Sequence, residues 1–194
     1  MAPRSPGRLR CHPNTGRGTL ILVVGPSGVG KDTLIDHCRR HLTKDSSFVF
    51  PRRSITRDDT AAEDHDVLSE EAFDAQVEGG AFALHWGAHG LRYGIPAGIA
   101  ADLAAGRTVV VNVSRTVVDD ARKRFQPTIV VSLVAPAAVL AERLRKRGRE
   151  TEADIARRLS REVGRIVDGE DVMSIDTSGS IEDTGATLLS ILRG

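Results

Sequence analysis

The chain has 194 residues, 40% of them hydrophobic and 27% charged, with 27 Lys plus Arg against 26 Asp plus Glu. That balance fits one soluble globular domain and weighs against a dedicated nucleic-acid binder, which carries a clear basic excess. Two cysteines, Cys11 and Cys38, are too few for a disulfide framework or a four-ligand zinc site, so reduced thiols and a cytoplasmic location are expected.

Residues 1–17 are basic and turn-rich, lack the apolar stretch of a secretory signal, and are expected to form a flexible tail. Residues 19–24, TLILVV, predict a buried parallel strand. A glycine-rich turn follows, and Leu34, Ile35, Cys38 and Leu42 then recur at helical spacing. A second strand is expected over residues 48–55, and residues 56–68 read as a polar loop. Ser69 caps the next predicted helix, with Phe73 and Val77 on its buried side and Gly79-Gly80 ending it. A polar-aromatic segment spans residues 85–94, and Pro96 suits the first turn of a helix that stops near Gly106.

Strands are then expected at residues 108–113 and 129–134. Pro136 opens a helix that Gly148 closes, and Ile155, Leu159 and Val163 mark the next one. A last strand falls near residues 172–175, and Ser180 caps a final helix that buries Leu188, Leu189 and Leu192. The longest apolar stretch, residues 129–141, is broken by Ser132 and Pro136, whereas a spanning helix needs about 20 apolar residues. No membrane association is expected. Strands alternating with helices predict a parallel α/β sheet, whose ligands bind beyond the carboxyl ends of the strands.

The most informative segment is Gly25-Pro26-Ser27-Gly28-Val29-Gly30-Lys31-Asp32-Thr33, in which Gly25, Gly30 and Lys31 satisfy the G-x-x-x-x-G-K pattern of a phosphate-binding loop. Glycines let backbone N–H groups curl around a phosphate, and the following helix aims its positive end at the same anion. Lys31 is placed to bridge the β- and γ-phosphates of ATP. Asp32 stands where Ser or Thr usually ligates Mg²⁺; its carboxylate is also a hard oxygen donor and is the candidate metal ligand.

Beyond this loop the chain resembles the guanylate kinase superfamily over about residues 19–192. The resemblance is carried by the loop, by Ser54-Ile-Thr-Arg57, by His89-Gly-Leu-Arg-Tyr-Gly94, and by the arginines of residues 143–149 with the helix after them. The acids that read guanine in that superfamily are absent: Leu84 and Asn112-Val-Ser114 stand in their places. A closer resemblance is to the ribose 1,5-bisphosphate phosphokinase branch. It rests on Gly30-Lys-Asp-Thr33, Asp64-His65, Leu68-Ser-Glu70, the run from Phe82 to Gly94, Val111-Asn-Val-Ser-Arg115 and Arg147-Gly-Arg-Glu150.

That resemblance implies a P-loop fold with a five-stranded parallel sheet over residues 18–194, an acceptor-binding insert at about 52–96 and a lid at about 145–156. It implies ATP and Mg²⁺, a sugar phosphate acceptor, and product 5-phosphoribosyl 1-diphosphate. Arg57 is the first candidate for gripping an acceptor phosphate, because a guanidinium matches phosphate bidentately. Arg115, just past a strand end, is a candidate for the second phosphate. Ser54, His65, Tyr93, Asn112, Ser114 and Arg158 are further acceptor-site candidates. Arg147 and Arg149, ahead of Arg143, are the lid arginines expected to reach the transferred group. Tyr93 is equally open to a packing role, and Asn112 and Ser114 to structural hydrogen bonding. His65, His85 and His89 lack the spacing and cysteines of a zinc site. Two other functions stay open at this point: a kinase of another small phosphorylated acceptor such as GMP, and a non-catalytic protein-binding module. The sequence is silent on oligomeric state.

Overall fold

Runs of β-branched residues that are apolar on both sides can only be satisfied inside a covered parallel sheet. The computed structural model, which describes residues 16–57, 65–88, 90–148, 151–162 and 167–194, uses them in this way. β1 (Leu20–Val24) is buried at every position. It pairs in parallel with β7 (Thr108–Asn112) on one side and β8 (Thr128–Val134) on the other. The short β2 (Phe48–Val49) and β9 (Val172–Asp176) form the edges, giving the order β2-β7-β1-β8-β9. Alternate residues of β1 feed different cores. Leu20, Leu22 and Val24 face Leu84, Ile95 and Ile99, while Ile21 and Val23 face Leu34, Cys38 and Leu188.

α1 (Lys31–His41) and α7 (Ile181–Arg193) pack on the second of these faces, joined by Leu140 of the helix after β8. Ser180 caps α7, its hydroxyl accepting from Asp183 N at 3.1 Å. α5 (Ala137–Arg147) ends at Gly148, whose φ of 64° is the left-handed turn expected of a glycine cap. Two bonds between the Arg145 guanidinium and the Glu152 carboxylate, at 2.6 and 2.9 Å, then tie α5 to α6 (Glu152–Glu162).

A second sheet stands off the first. It contains β3 (Arg53–Thr56), β4 (His65–Leu68), β5 (Phe82–Ala88) and β6 (Leu91–Pro96), in the order β4-β3-β6-β5. β3 and β4 run parallel and the other pairs antiparallel. α2 (Glu70–Glu78) is capped by Ser69 and packs Phe73 against the Phe82 ring at 4.8 Å between centroids. This sheet occupies the stretch expected to be the acceptor-binding insert.

Several expectations need correction. The strand expected over residues 48–55 is two strands in different sheets, because Pro51 cannot donate to a ladder. The polar stretch 56–68 contains β4, and the polar-aromatic stretch 85–94 is a hairpin of β5 and β6. Pro96 ends β6 instead of opening a helix. It pairs with Phe82, and the helix α3 (Ile99–Ala104) starts only after Gly98. A short 3-10 turn (Arg115–Val117) and α4 (Val118–Arg124) follow β7, a stretch to which the sequence pattern assigns no element. Most of the expected N-terminal tail, residues 1–15, lies outside the described residues. No helix among the described residues is long and apolar enough to cross a membrane.

Candidate active site

The phosphate loop sits where the parallel sheet predicts a ligand, beyond the carboxyl end of β1. Gly25 passes so close to β8 that a Cβ there would lie 2.7 Å from the Leu133 carbonyl oxygen. Gly30 reaches the helix with φ 97°, a conformation that side-chain-bearing residues rarely adopt. Lys31 curls over the loop, its Nζ donating to the carbonyls of Gly25 at 2.7 Å and Pro26 at 3.0 Å. Those carbonyls hold the ammonium at the mouth that a phosphate would occupy. Thr33, with Gly28, Val29 and Gly30, borders a cleft of about 310 Å³ that continues to Thr177, Gly179 and Ser180 after β9.

Arg143 closes one wall of this cleft. Its guanidinium donates to the Val29 carbonyl at 3.3 Å, to Thr177 Oγ1 at 3.1 Å and to the Thr177 carbonyl at 2.5 Å. It therefore clamps the loop to the turn after β9 and does not reach toward the loop mouth. Arg147, exposed on the last turn of α5, lines the same cleft. Arg149 and His89 lie outside the described residues. Arg158 on α6 reaches back to the loop and donates to Ser27 Oγ at 3.3 Å.

On the other side of the loop stands the second sheet. Tyr93 is half-buried, its ring parallel to Trp86 at 5.4 Å. Burial raises the Tyr93 hydroxyl above its ordinary pKa, and the positive charges of Arg53, Arg57 and Arg158 oppose that rise. The phenol thus feels the positive charge of three arginines, from β3, the residue after it and α6. Arg53 also lies over the Tyr93 ring at 5.6 Å and approaches Asp32 Oδ2 at 3.5 Å. Asp32 Oδ1 accepts from Asn112 Nδ2 at 2.6 Å.

Asp32, Arg53, His65 and Asn112 line a second cavity of about 230 Å³, together with Asp36 and Arg39 of α1. His65 is 7% exposed, and its carbonyl accepts from Arg52 at 3.1 Å. Ser54 is 8% exposed on β3, on the opposite face from Arg53 by strand alternation. Ser114 caps the 3-10 turn, its Oγ accepting from Thr116 N at 3.3 Å and Thr116 Oγ1 at 2.9 Å. Arg115 opens that turn, half-buried, beyond the end of β7.

The donor set suits magnesium in one respect. Mg²⁺ keeps several waters and takes one or two carboxylates plus substrate phosphates, so it needs no protein cage. Asp32 supplies such a carboxylate in the first turn after the loop, with its side chain 59% exposed. No group of three or more His, Cys, Asp or Glu side chains able to hold a metal occurs among the described residues.

Two contributors escaped the sequence reading. Arg53 was legible in principle, because period-two alternation puts it on the Ile55 face of β3, next to the Ser-Ile-Thr-Arg segment. The turn holding Thr177 and Ser180 had one signal, its place at the carboxyl end of a parallel strand.

A family model described as AAA domain matches residues 21–172. The chain is 51% identical over 180 residues to the ribose 1,5-bisphosphate phosphokinase PhnN of Acidiphilium cryptum (strain JF-5), covering 93% of this chain and 94% of that one. It is 45% identical over 175 residues to the protein of the same name from Agrobacterium fabrum, covering 90% and 96%. Among solved structures it is similar to the guanylate kinase of Anaplasma phagocytophilum, with a TM-score of 0.65 and 18% identity over 92% of this chain and 86% of that one. It is also similar to a gluconokinase from Sinorhizobium meliloti 1021, with a TM-score of 0.51 and 21% identity over 91% and 92%. Both likenesses place the chain in the P-loop kinase fold.

Proposed function

The chain belongs to the family of ribose 1,5-bisphosphate phosphokinases, and on that premise we propose that it transfers the γ-phosphoryl group of ATP to α-D-ribose 1,5-bisphosphate, yielding 5-phosphoribosyl 1-diphosphate and ADP. The observation that carries the reading is the 51% identity to a kinase of that name across 93% of the chain. In this reaction an oxygen of the C1 phosphate attacks the γ-phosphorus, and the bond from that phosphorus to the β–γ bridging oxygen breaks. The nucleophile is already an anion, so positioning and charge neutralisation replace a general base.

Lys31 leaves the carbonyls of Gly25 and Pro26 for the β- and γ-phosphates, while the backbone of residues 25–33 cradles them. Arg57 and Tyr93 hold the C1 phosphate, with His65, Asn112, Ser114 and Arg115 completing the acceptor site; Ser54, buried on the other face of β3, supports the strand that carries Arg57. Arg158, already against Ser27, and the lid residues Arg147 and Arg149 close on the transferred group. Asp32 holds Mg²⁺, directly or through water, and the ion when bound supplies neutralisation of the phosphate oxygens.

GMP is a poor rival acceptor on this reading. Leu84 is 1% exposed and belongs to the core, and Asn112 is a neutral amide whose Nδ2 already donates to Asp32. Neither position offers a carboxylate to guanine's N–H donors, and unpaired donors are costly to bury. The test is ADP formation from Mg²⁺ and ATP with ribose 1,5-bisphosphate and GMP as parallel acceptors, using Lys31→Ala as the blank. Turnover with the sugar bisphosphate alone is expected. Turnover with GMP alone refutes the reading.

A further inference from the structure

Asp32 is asked to serve two cations. It sits in the first turn of α1, where a nucleotide-bound metal ion would approach, yet its Oδ2 is 3.5 Å from a nitrogen of Arg53. Its other oxygen is anchored to Asn112 at 2.6 Å, so the carboxylate stays aimed at the site whichever cation it faces. The Arg53 contact is close enough for charge attraction but lies at the outer limit of a hydrogen bond, so little directional bonding resists its exchange. Arg53 is the less exposed partner, 17% against 59% for Asp32, and its guanidinium rests over the Tyr93 ring. A guanidinium held over Tyr93 lies where the proposed acceptor phosphate would bind and needs no large movement to meet an anion there.

We propose that Arg53 couples the nucleotide and acceptor subsites. Asp32 neutralises it before the nucleotide binds, and it is handed to the acceptor's phosphate when Asp32 turns to the cation that accompanies ATP. One carboxylate cannot neutralise both positive groups at full strength, so each gain at the metal side frees positive charge on the acceptor side. The consequence is positive coupling: the nucleotide with its cation tightens acceptor binding, and the acceptor tightens nucleotide binding by the same factor. Arg53 acts here as an acceptor-binding residue, and Asp32 sets its availability. The inference rests on the functional reading above, which supplies an acceptor that is anionic at the reacting end.

The experiment is calorimetric titration of ribose 1,5-bisphosphate into the full-length protein, alone and then with Mg²⁺ and a non-hydrolysable ATP analogue. In the wild type the analogue should tighten acceptor binding by about tenfold, within the usual range of such couplings. In Arg53→Gln the tightening should vanish while the analogue still binds, which also shows the fold to be intact. Arg53→Lys, which keeps the charge, should restore part of it. In Asp32→Asn the acceptor alone should bind more tightly than to the wild type, because Arg53 has lost its partner. Coupling of equal size in Arg53→Gln and the wild type overturns the proposal, as does a wild type that binds acceptor with no tightening. A wild type that binds no ribose bisphosphate in either arm overturns the functional reading, and this inference with it.

Discussion

An obvious way to turn this site toward GMP is to restore the missing acid with Leu84→Glu, and the structure predicts that this variant loses its fold before it gains a substrate. Leu84 is 1% exposed and packs in the cluster with Ile95, Ile99 and Val111. Removing a fully buried leucine forfeits about 2 kcal/mol of burial. A carboxyl without a partner in those surroundings must stay protonated. Holding it so at pH 7, from an ordinary glutamate value near 4.3 and at about 1.4 kcal/mol per unit, costs ~4 kcal/mol. The sum, ~6 kcal/mol, is comparable to the whole stability of a small domain, about 5–15 kcal/mol.

The sign of the pH dependence follows from the same argument. A carboxyl whose folded pKa is raised binds its proton more tightly in the folded state, so lowering the pH favours folding. At pH 5 the protonation cost falls to ~1 kcal/mol, so the variant should regain about 3 kcal/mol between pH 7 and pH 5. Urea denaturation of wild type, Leu84→Glu and Leu84→Gln at both pH values reads this out. The glutamine variant should be destabilised without that pH slope. A Leu84→Glu protein that melts like the wild type at pH 7 and phosphorylates GMP would refute the reasoning, because Leu84 would then face the acceptor and not the core.

Other consequences are open to simpler assays. Burial pushes the Cys38 thiol up to about 11, so it should resist a thiol-specific reagent at pH 8 and react only on addition of denaturant. Arg143→Ala removes donors to the Val29 and Thr177 carbonyls, half-buried charge-assisted bonds that together contribute about 2 kcal/mol. It should lower the melting temperature and raise KM for ATP with little change in KM for the acceptor. Equal effects on both KM values would show that Arg143 does more than shape the nucleotide cleft. Ser180→Ala deletes the cap of α7 and should cost about 1 kcal/mol in denaturation with turnover retained. A neutral result would mean that packing of Leu188 and Leu192 alone fixes the start of that helix.

What could be read from the sequence was whatever depends on local chemistry. The all-apolar run of β1, the glycine loop, and the caps Ser69, Pro136, Gly148 and Ser180 are each decided within a few residues, and each stands where its pattern placed it. The second sheet was less legible because its strands are short and its pairings connect distant stretches. β4 carries the pattern of a buried histidine followed by two exposed residues, which has no apolar periodicity to find. Pro96 shows the same limit. Proline suits a helix start and a strand end equally, and only its pairing with Phe82 decides between them. In the site, the loop residues declared themselves through a spacing that few other structures need. The side chains around Tyr93 come from β3, β5, α1 and α6, and no spacing along the chain announces that they meet.

The two sheets are joined in an uneven way. Among the described residues no ladder of hydrogen bonds runs between them, since β2 and β3 part company at Pro51, yet Ala83, Leu84 and Ile95 of the second sheet lie in the same apolar cluster as Leu20, Leu22 and Val111 of the first. The seam is thus greasy, not ladder-bonded, and it is concentrated at the inner ends of β5 and β6. A join of this kind depends on side-chain volume and not on backbone pairing, because packed interiors register the loss of even one methylene. Changes of size at Leu84 or Ile95 are therefore felt in both sheets at once.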